Sequence, residues 1–465
     1  MITASSLVVR PIAYRDPSVA FAPLADEPFA VLLDGLGGAQ SRFAYIAINP
    51  FETMCITPET ARTDPFSGLR QRLARYRIVH DDTELPAPFI GGGVGFVVYE
   101  IGHDLERLPP RKPKVFPFDL AFGFYDVIAV FDVKHQKAWI VSTGFPETTD
   151  DLRSARADAR AMELSQKLGA SPLPAVVAAP GGTWTAAFNQ ATYSRKAETI
   201  IEYIRAGDIF QANLTQRWAA TWPKMITPFD MYRRLLSLSA APFAAFLSLD
   251  AATQIISASP ERFISIDHRG VVETRPIKGT RARGLTTAED NALAAELLAS
   301  PKDRAENLMI VDLLRNDLSR VCRVGSVAVP SLCGLETFHS VHHLVSVVTG
   351  QLRPECTAVD LLAACFPGGS ITGAPKIRAM EIIHDLEPVA RGPYCGSVVW
   401  MGFDGAMDSS IIIRTLIRNG DQLFAHAGGG IVADSDPTQE YAESVLKAQP
   451  LLAALTDHEL TCASV

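Results

Sequence analysis

The chain has 465 residues, of which 48% are hydrophobic and 20% charged; that is ample for a sizeable core and excludes a mostly disordered polymer. Lys and Arg number 43 against 51 Asp and Glu, a formal net charge of −8, which speaks against an extended nucleic-acid surface but not against a few buried cations holding a small anion. Such a length predicts two or three units or one large α/β body. Seven cysteines are scattered with no C-x-x-C pair, so neither a zinc knuckle nor a disulfide framework is indicated. The start lacks the basic head and apolar stretch of a signal peptide. The most apolar long stretch, Phe118 to Val133, is broken by Asp119, Asp126 and Asp132, so no segment spans a bilayer. A soluble cytoplasmic protein is expected.

In chain order, the first third alternates short apolar runs with turns. Phe29–Leu33, Phe89–Tyr99, Ala121–Val130 and Ala138–Val141 are rich in β-branched and aromatic residues, and Gly35, Gly37, Gly38 and Gly91 to Gly93 punctuate them. These read as strands. Thr149 to Leu168 is helical and charged, and the Ala-, Pro- and Gly-rich stretch from Gly169 to Gly182 reads as a linker. Segments 1–170 and 183–455 follow from that boundary. Past it, Tyr193, Ala197, Ile200, Ile201 and Ile204 recur at helical spacing. Helices and strands then alternate, an α/β signature without internal repeats.

The second half concentrates the unusual strings. Glu261, in Ser257-Ala-Ser-Pro-Glu-Arg-Phe263, follows a proline that ends an apolar run; it is either a turn acid paired with Arg262 or a functional carboxylate. Lys278, between Ile277 and Gly279, is either a solvated charge or a lysine whose half-apolar loop lowers its pKa and frees an amine nucleophile. On a helix from Lys302 to Asp317, Glu306 shares a face with Met309, Ile310 and Leu313. A carboxylate there reaches water at the stripe edge, or is paired, or binds a cation. Phe366 to Lys376 is rich in Gly and hydroxyls but lacks the Walker spacing, and Ala427 to Ser435 holds three successive glycines. Each is a plain turn or a set of exposed amides for a carboxylate. Asp436 is a candidate N-cap with Pro437 at the first helical position. Glu440, Glu443 and Lys447 then lie along one face, where a Glu443–Lys447 surface pair is the ordinary reading. Together these groups fit an enzyme that acts on a small polyanion through magnesium.

From about Thr183 to Leu452 these strings resemble the chorismate-utilising enzymes, a family that includes anthranilate synthase component I and the isochorismate and salicylate synthases. The first third is more weakly similar, through Leu32-Leu-Asp34 and Ser41-Arg-Phe-Ala-Tyr-Ile-Ala-Ile-Asn-Pro50. The resemblance implies an anthranilate synthase component I-like α/β (α+β) fold, with large antiparallel sheets packed together and helices outside. Pro276-Ile-Lys-Gly-Thr280 resembles the branch that aminates chorismate at C4, whereas anthranilate synthases carry Ala at the third place. The resemblance then implies that Lys278 attacks C2 of chorismate as the 4-hydroxyl leaves, that Glu261 protonates the hydroxyl, and that ammonia adds at C4. It further implies Mg²⁺ held by Glu306 and Glu443. Tyr394, Arg414, Lys447, Thr372 and the amides of Gly428, Gly429 and Gly430 are implied to hold the substrate carboxylates. His343 matches the family's active-site histidine. Gln211 stands where isochorismate-type enzymes carry a water-activating lysine; Gln cannot be that base, which points to ammonia as the nucleophile.

Two departures carry expectations of their own. Gly35 follows Asp34, which is at odds with the string of relatives that bind tryptophan. Val399-Trp400 replaces a Gly-Tyr pair, which predicts a remodelled wall beside Tyr394. The alternatives are an anthranilate synthase component I and a non-catalytic chorismate- or tryptophan-binding paralogue. No cysteine lies in a Gly-x-Cys-x-Gly nucleophile turn, and the chain ends soon after the Glu443 helix. A separate glutamine amidotransferase subunit is therefore expected to supply ammonia, on the side of the site that holds Gln211.

Overall fold

A computed structural model describes residues 2–35, 42–60, 64–337 and 341–456; Gly37, Gly38, Ser41 and Cys462 lie outside them. The apolar runs of the first third form strands Ala30–Asp34, Gly92–Val97, Leu120–Tyr125, Val127–Asp132 and Lys137–Ser142. They join strands of the second half in two large sheets of 12 and 10 strands. In the first sheet Phe43–Ala47 and Ala30–Asp34 run beside Phe243–Asp250 and Thr253–Ser259, followed by Thr415–Asn419, Gln422–Ile431 and Gln211–Thr221. In the second, Leu120–Tyr125 and Gly92–Val97 run beside Ser397–Gly402, Met407–Ile411 and Arg262–Ile266, out to Val341–Gln351 and Ile277–Ala282. The pairings within both sheets are antiparallel. The sequence boundary near residue 170 thus separates stretches of chain that share both sheets.

Period-two alternation decides which face each residue serves. Val31, Tyr45, Leu247 and Ile255 of the first sheet meet Val94, Phe96, Phe122, Phe124 and Val398 of the second in one core. Their sequence neighbours Leu32, Ile46, Phe246 and Ile256 point the other way. Helices Asp150–Lys167, Pro228–Leu238 and Pro437–Ala453 cover that outer face through Leu164, Tyr232, Leu235, Ala448 and Leu451. Each fully buried Phe contributes about 1.5–3 kcal/mol by leaving water, so two aromatic-rich faces fix the sandwich. The stripe predicted around Tyr193 is the buried face of helix Gln190–Arg205, capped by Asn189 onto the Thr192 amide at 2.9 Å. Among the described residues no helix is long and apolar enough to cross a membrane.

Two expectations are corrected. The Gly-rich string from Ala427 lies for the most part in strand Gln422–Ile431, with Gly428, Gly429 and Gly430 paired to Thr215, Leu214 and Asn213. Its glycines serve close approach: a Cβ at Gly428 would lie 2.1 Å from the Leu214 carbonyl oxygen, and one at Gly430 2.2 Å from Gln211 Nε2. Lys278 lies in strand Ile277–Ala282, where a loop was expected.

Candidate active site

The chain crosses between the sheets at the site. The first sheet's strand Thr253–Ser259 leads through Glu261 into the second sheet's Arg262–Ile266. Met407–Ile411 leads back through Arg414 into Thr415–Asn419. The two crossings are tied together, since the Ile411 amide donates to the Glu261 carbonyl at 3.1 Å and the Ala258 amide to the Arg414 carbonyl at 3.0 Å. Arg414 holds φ at 51°, and Cys395, next to Tyr394, holds 62°. Such left-handed non-glycine backbone costs about 1–3 kcal/mol and tends to collect at functional sites.

Arg262 does not serve Glu261. Its guanidinium forks onto Asp408 at 3.0 and 2.9 Å, so the turn-pair reading of Glu261 fails. Burial instead pushes the Glu261 carboxyl up, against a hydrogen bond from Ser370 and the charges of Lys278 and Lys447. Lys278 is placed by a break in register: it pairs with Leu344, the pairing slips before Thr280, and Gly279 takes φ +76°. A glycine bulge of this kind re-aims the adjacent side chain. Burial lowers the Lys278 ammonium, opposed by the Glu306, Glu261 and Glu443 carboxylates and aided by Lys447. Burial disfavours the charged form of both groups, so the acid moves toward its neutral form and the amine toward its free base.

Glu306 projects from helix Pro301–Ser319, which Ser300 caps and Pro301 starts. Asn307 anchors this helix by donating at 3.3 Å to the carbonyl of Leu344, the residue paired with Lys278. Burial raises the Glu306 carboxyl, and the charge of Glu443 adds to the rise. Glu443 stands on helix Pro437–Ala453, whose cap is Asp436 as expected. Against burial, Lys447, Lys302 and Lys278 hold its carboxyl low. The ordinary surface pair exists as well: Lys447 Nζ lies 2.6 Å from Glu443 Oε1 and donates to the Gly428 carbonyl at 3.1 Å. A Cβ at Gly429 would lie 3.7 Å from Glu443 Oε1 and 3.4 Å from Glu440 Oε2, so a glycine there keeps room above the acids. Among the described residues no three carboxylates, imidazoles or thiols form a ready cage. Two carboxylates on separate helices, close enough for the charge of Glu443 to act on Glu306, are a donor set of the kind Mg²⁺ takes, since it keeps several waters and uses one or two carboxylates beside an anionic ligand.

Tyr394 is buried and stacks on His426 with ring centroids 4.9 Å apart. Trp400 packs on Phe89 at 4.9 Å and lines a cavity of about 80 Å³ with Leu33, Asp34 and Tyr45, whereas Val399 is fully buried in the core that also holds Tyr394. The Arg414 guanidinium, lowered by burial, feels Tyr394 and Glu443. Thr372 is buried, and its hydroxyl donates to the Gly368 carbonyl at 2.9 Å. Gln211 is fully buried with neither amide atom hydrogen-bonded among the described residues. His343 lies opposite Thr280, with its Nδ1 2.9 Å from the Thr280 hydroxyl. The structure thus gathers Glu261, Lys278, Glu306, Glu443 and Lys447 into one electrostatic field, with Arg414 reaching it through Glu443; the charges recorded around His343 are those of Glu336 and His342. Sequence reasoning missed Lys302, Ser370 and the part of Glu440, which accepts from Ser435 at 2.6 Å beside Glu443. The i, i+4 spacing of Lys302 and Glu306 was the available signal.

Three comparisons bear on this geometry. A sequence profile of the chorismate binding enzymes matches residues 29–453. The aminodeoxychorismate synthase component 1 of Klebsiella aerogenes is 40% identical over 447 residues, which are 93% of this chain and 95% of that one. The anthranilate synthase component 1 of Thermus thermophilus is 39% identical over 454 residues, 94% and 95% of the two chains. The crystal structure of anthranilate synthase component I from Streptococcus pneumoniae superposes with a TM-score of 0.75 at 33% identity, over 89% of this chain and 93% of that one.

Proposed function

The chain belongs to the chorismate binding enzymes, and from that membership we propose that it aminates chorismate at C4, as an aminodeoxychorismate synthase component 1 does, for the p-aminobenzoate branch of folate synthesis. The observation that carries this reading is Lys278, a half-buried amine set by the Gly279 bulge among Glu261, Glu306 and Glu443. An anthranilate synthase, whose relatives are almost as similar, has no use for a nucleophile there. A non-catalytic paralogue has no use for the lysine and the acid together.

In the proposed sequence the neutral Lys278 amine forms a bond to C2 of chorismate, both conjugated ring double bonds shift toward C4, and the C4–O bond breaks. Glu261 gives its proton to the departing hydroxyl, which leaves as water. Ammonia then bonds to C4, both double bonds shift back, and the C2–N bond to Lys278 breaks. The new ammonium returns one proton to the Glu261 carboxylate, which resets both groups. The double displacement replaces one hard substitution by two easier ones. Arg414 and Lys447 hold the substrate carboxylates, and the unpartnered amide of Gln211 offers a polar contact without a base. When bound, Mg²⁺ on Glu306 and Glu443 would supply a fixed positive charge for the ring carboxylate. Glu306→Gln and Glu443→Gln should each raise the Mg²⁺ concentration for half-maximal activity by about 10-fold or more, since a neutral amide is a poor partner for a hard dication. Unchanged Mg²⁺ titrations in both variants would remove the metal assignment.

The nitrogen source follows from what the thiols can do. Burial pushes the Cys395 thiol, beside Tyr394, up to about 12, far from the activated thiolate that a glutaminase needs. A separate glutamine amidotransferase subunit as the ammonia donor fits both this and the absence of a Gly-x-Cys-x-Gly turn. Purified alone, the chain should consume chorismate with ammonium salts, faster as pH rises and neutral ammonia accumulates, and stay inert with glutamine. Robust glutamine-dependent turnover by the isolated chain would refute the two-subunit arrangement.

A further inference from the structure

The bulge that aims Lys278 is held by a buried set of polar bonds that the proposed chemistry does not use. Strand Val341–Gln351 pairs on one side with Ile277–Ala282 and on the other with Ala328–Thr337. Each of these neighbours carries one extra residue against it. On one side the register slips between Lys278 and Thr280, across Gly279; on the other it slips between Ser331 and Gly334, where Cys333 holds φ at 52°. A bulge interrupts the ladder and leaves backbone groups without their usual partners, and buried ones must find others. Here they are found in side chains. The Cys333 amide donates to the Ser346 hydroxyl at 2.8 Å, that hydroxyl donates to Asn307 Oδ1, and Asn307 Nδ2 donates to the Leu344 carbonyl at 3.3 Å. Asn307, Ser346 and Leu344 are all fully buried, where a polar group is kept only by bonds of this kind.

These bonds converge on the lysine. Leu344 is the residue paired with Lys278, and the Ser346 amide donates to the Pro276 carbonyl at 3.1 Å, two residues before it. Helix Pro301–Ser319, which carries Asn307, closes on the bulge itself: a Cβ at Gly279 would lie 2.9 Å from Asp303 Cβ. Asp303 and Asn307 are four residues apart on that helix and so share a face. One contact is steric and the other is a hydrogen bond to the strand, and together they fix the helix against the slipped ladder. We propose that Asn307 is a positioning residue for Lys278: by bonding the Leu344 carbonyl and the Ser346 hydroxyl it clamps helix Pro301–Ser319 onto the Gly279 bulge and so sets the direction of the lysine amine. The inference rests on Lys278 acting as the nucleophile. An amide suits the place because it donates and accepts at once; a leucine of similar size fills the volume and makes neither bond.

The test is steady-state kinetics with chorismate, Mg²⁺ and ammonium, together with the rate of Lys278 adduct formation when ammonium is left out. The proteins are wild type, Asn307→Leu, Ser346→Ala, their double variant and Val348→Ala, each with its folded fraction measured by near-UV circular dichroism. Val348 is fully buried on the same strand, so its truncation loosens the core without touching these bonds. Ser346→Ala removes a single hydroxyl and reads the same link if Asn307→Leu folds poorly. Per folded enzyme, Asn307→Leu should lower kcat by about 10–100-fold, the scale of a reacting atom misplaced by about 1 Å, with KM for chorismate within about 3-fold. Adduct formation should slow by the same factor. Ser346→Ala should act in the same direction, and the double variant should be no worse than Asn307→Leu alone, because one link is lost in both. Val348→Ala should keep kcat per folded enzyme within about 3-fold. Multiplying effects, a loss confined to KM, or an equal loss of kcat in Val348→Ala would overturn the proposal and leave the bonds a structural feature. If Lys278→Ala keeps its rate, the reading of the nucleophile fails and this inference fails with it; if Lys278→Ala is inactive while Asn307→Leu and Ser346→Ala match wild type, only the positioning role is refuted.

Discussion

Lys278→Ala should abolish amination of chorismate, with a rate loss on the order of 10³-fold or more, the scale expected when a covalent nucleophile is removed. Chorismate binding should persist within a few-fold, because the cations proposed for the carboxylates, Arg414 and Lys447, come from other elements of the fold. Acid-quenched wild type should carry a substrate adduct on the peptide containing Lys278, and the variant should carry none. The electrostatics make the same point: Lys278 partly offsets the burial of Glu306 and of Glu261, so its loss should leave both carboxyls more readily protonated. A wild-type enzyme that never forms an adduct under any quench, or a variant that retains its rate, would end the nucleophile assignment.

Glu261→Gln should lower kcat by about 10²–10⁴-fold, the usual share of a general acid. The amide keeps the shape of the side chain and can still accept from Ser370, but it has no proton for the departing hydroxyl. Because that proton is needed in the first displacement, the variant should also fail to accumulate the Lys278 adduct, although the lysine is intact. That distinguishes loss of the acid from loss of a later step. Full adduct formation in Glu261→Gln would move the acid's work elsewhere, with the proton then coming from a group other than this carboxyl.

Local patterning carried the fold a long way. The apolar runs around Phe29–Leu33 and Ala121–Val130, the helical stripe around Tyr193, and the Asp436-Pro437 start all correspond to observed elements. What local patterning could not convey is which sheet a strand joins. Glycine density suggested a turn at Gly428 to Gly430, yet the glycines serve a strand, two of them pressed by the Leu214 carbonyl and the Gln211 amide. Adjacency suggested that Arg262 partners Glu261, but in a strand neighbouring side chains diverge, and the guanidinium turns to Asp408, 146 residues away in sequence. Ser370 was invisible for the same reason: it is a turn residue that becomes a site group only when the chain folds, whereas Lys302 had left a signal in its i, i+4 spacing from Glu306.

The most direct test of the account is the identity of the product. The isolated chain should be incubated with chorismate, Mg²⁺ and ammonium at alkaline pH, and the mixture resolved by chromatography with mass detection. The account predicts 4-amino-4-deoxychorismate, formed by wild type and absent with Lys278→Ala, and converted to p-aminobenzoate when a lyase is added. Anthranilate as the product, formed equally by wild type and Lys278→Ala, would contradict it.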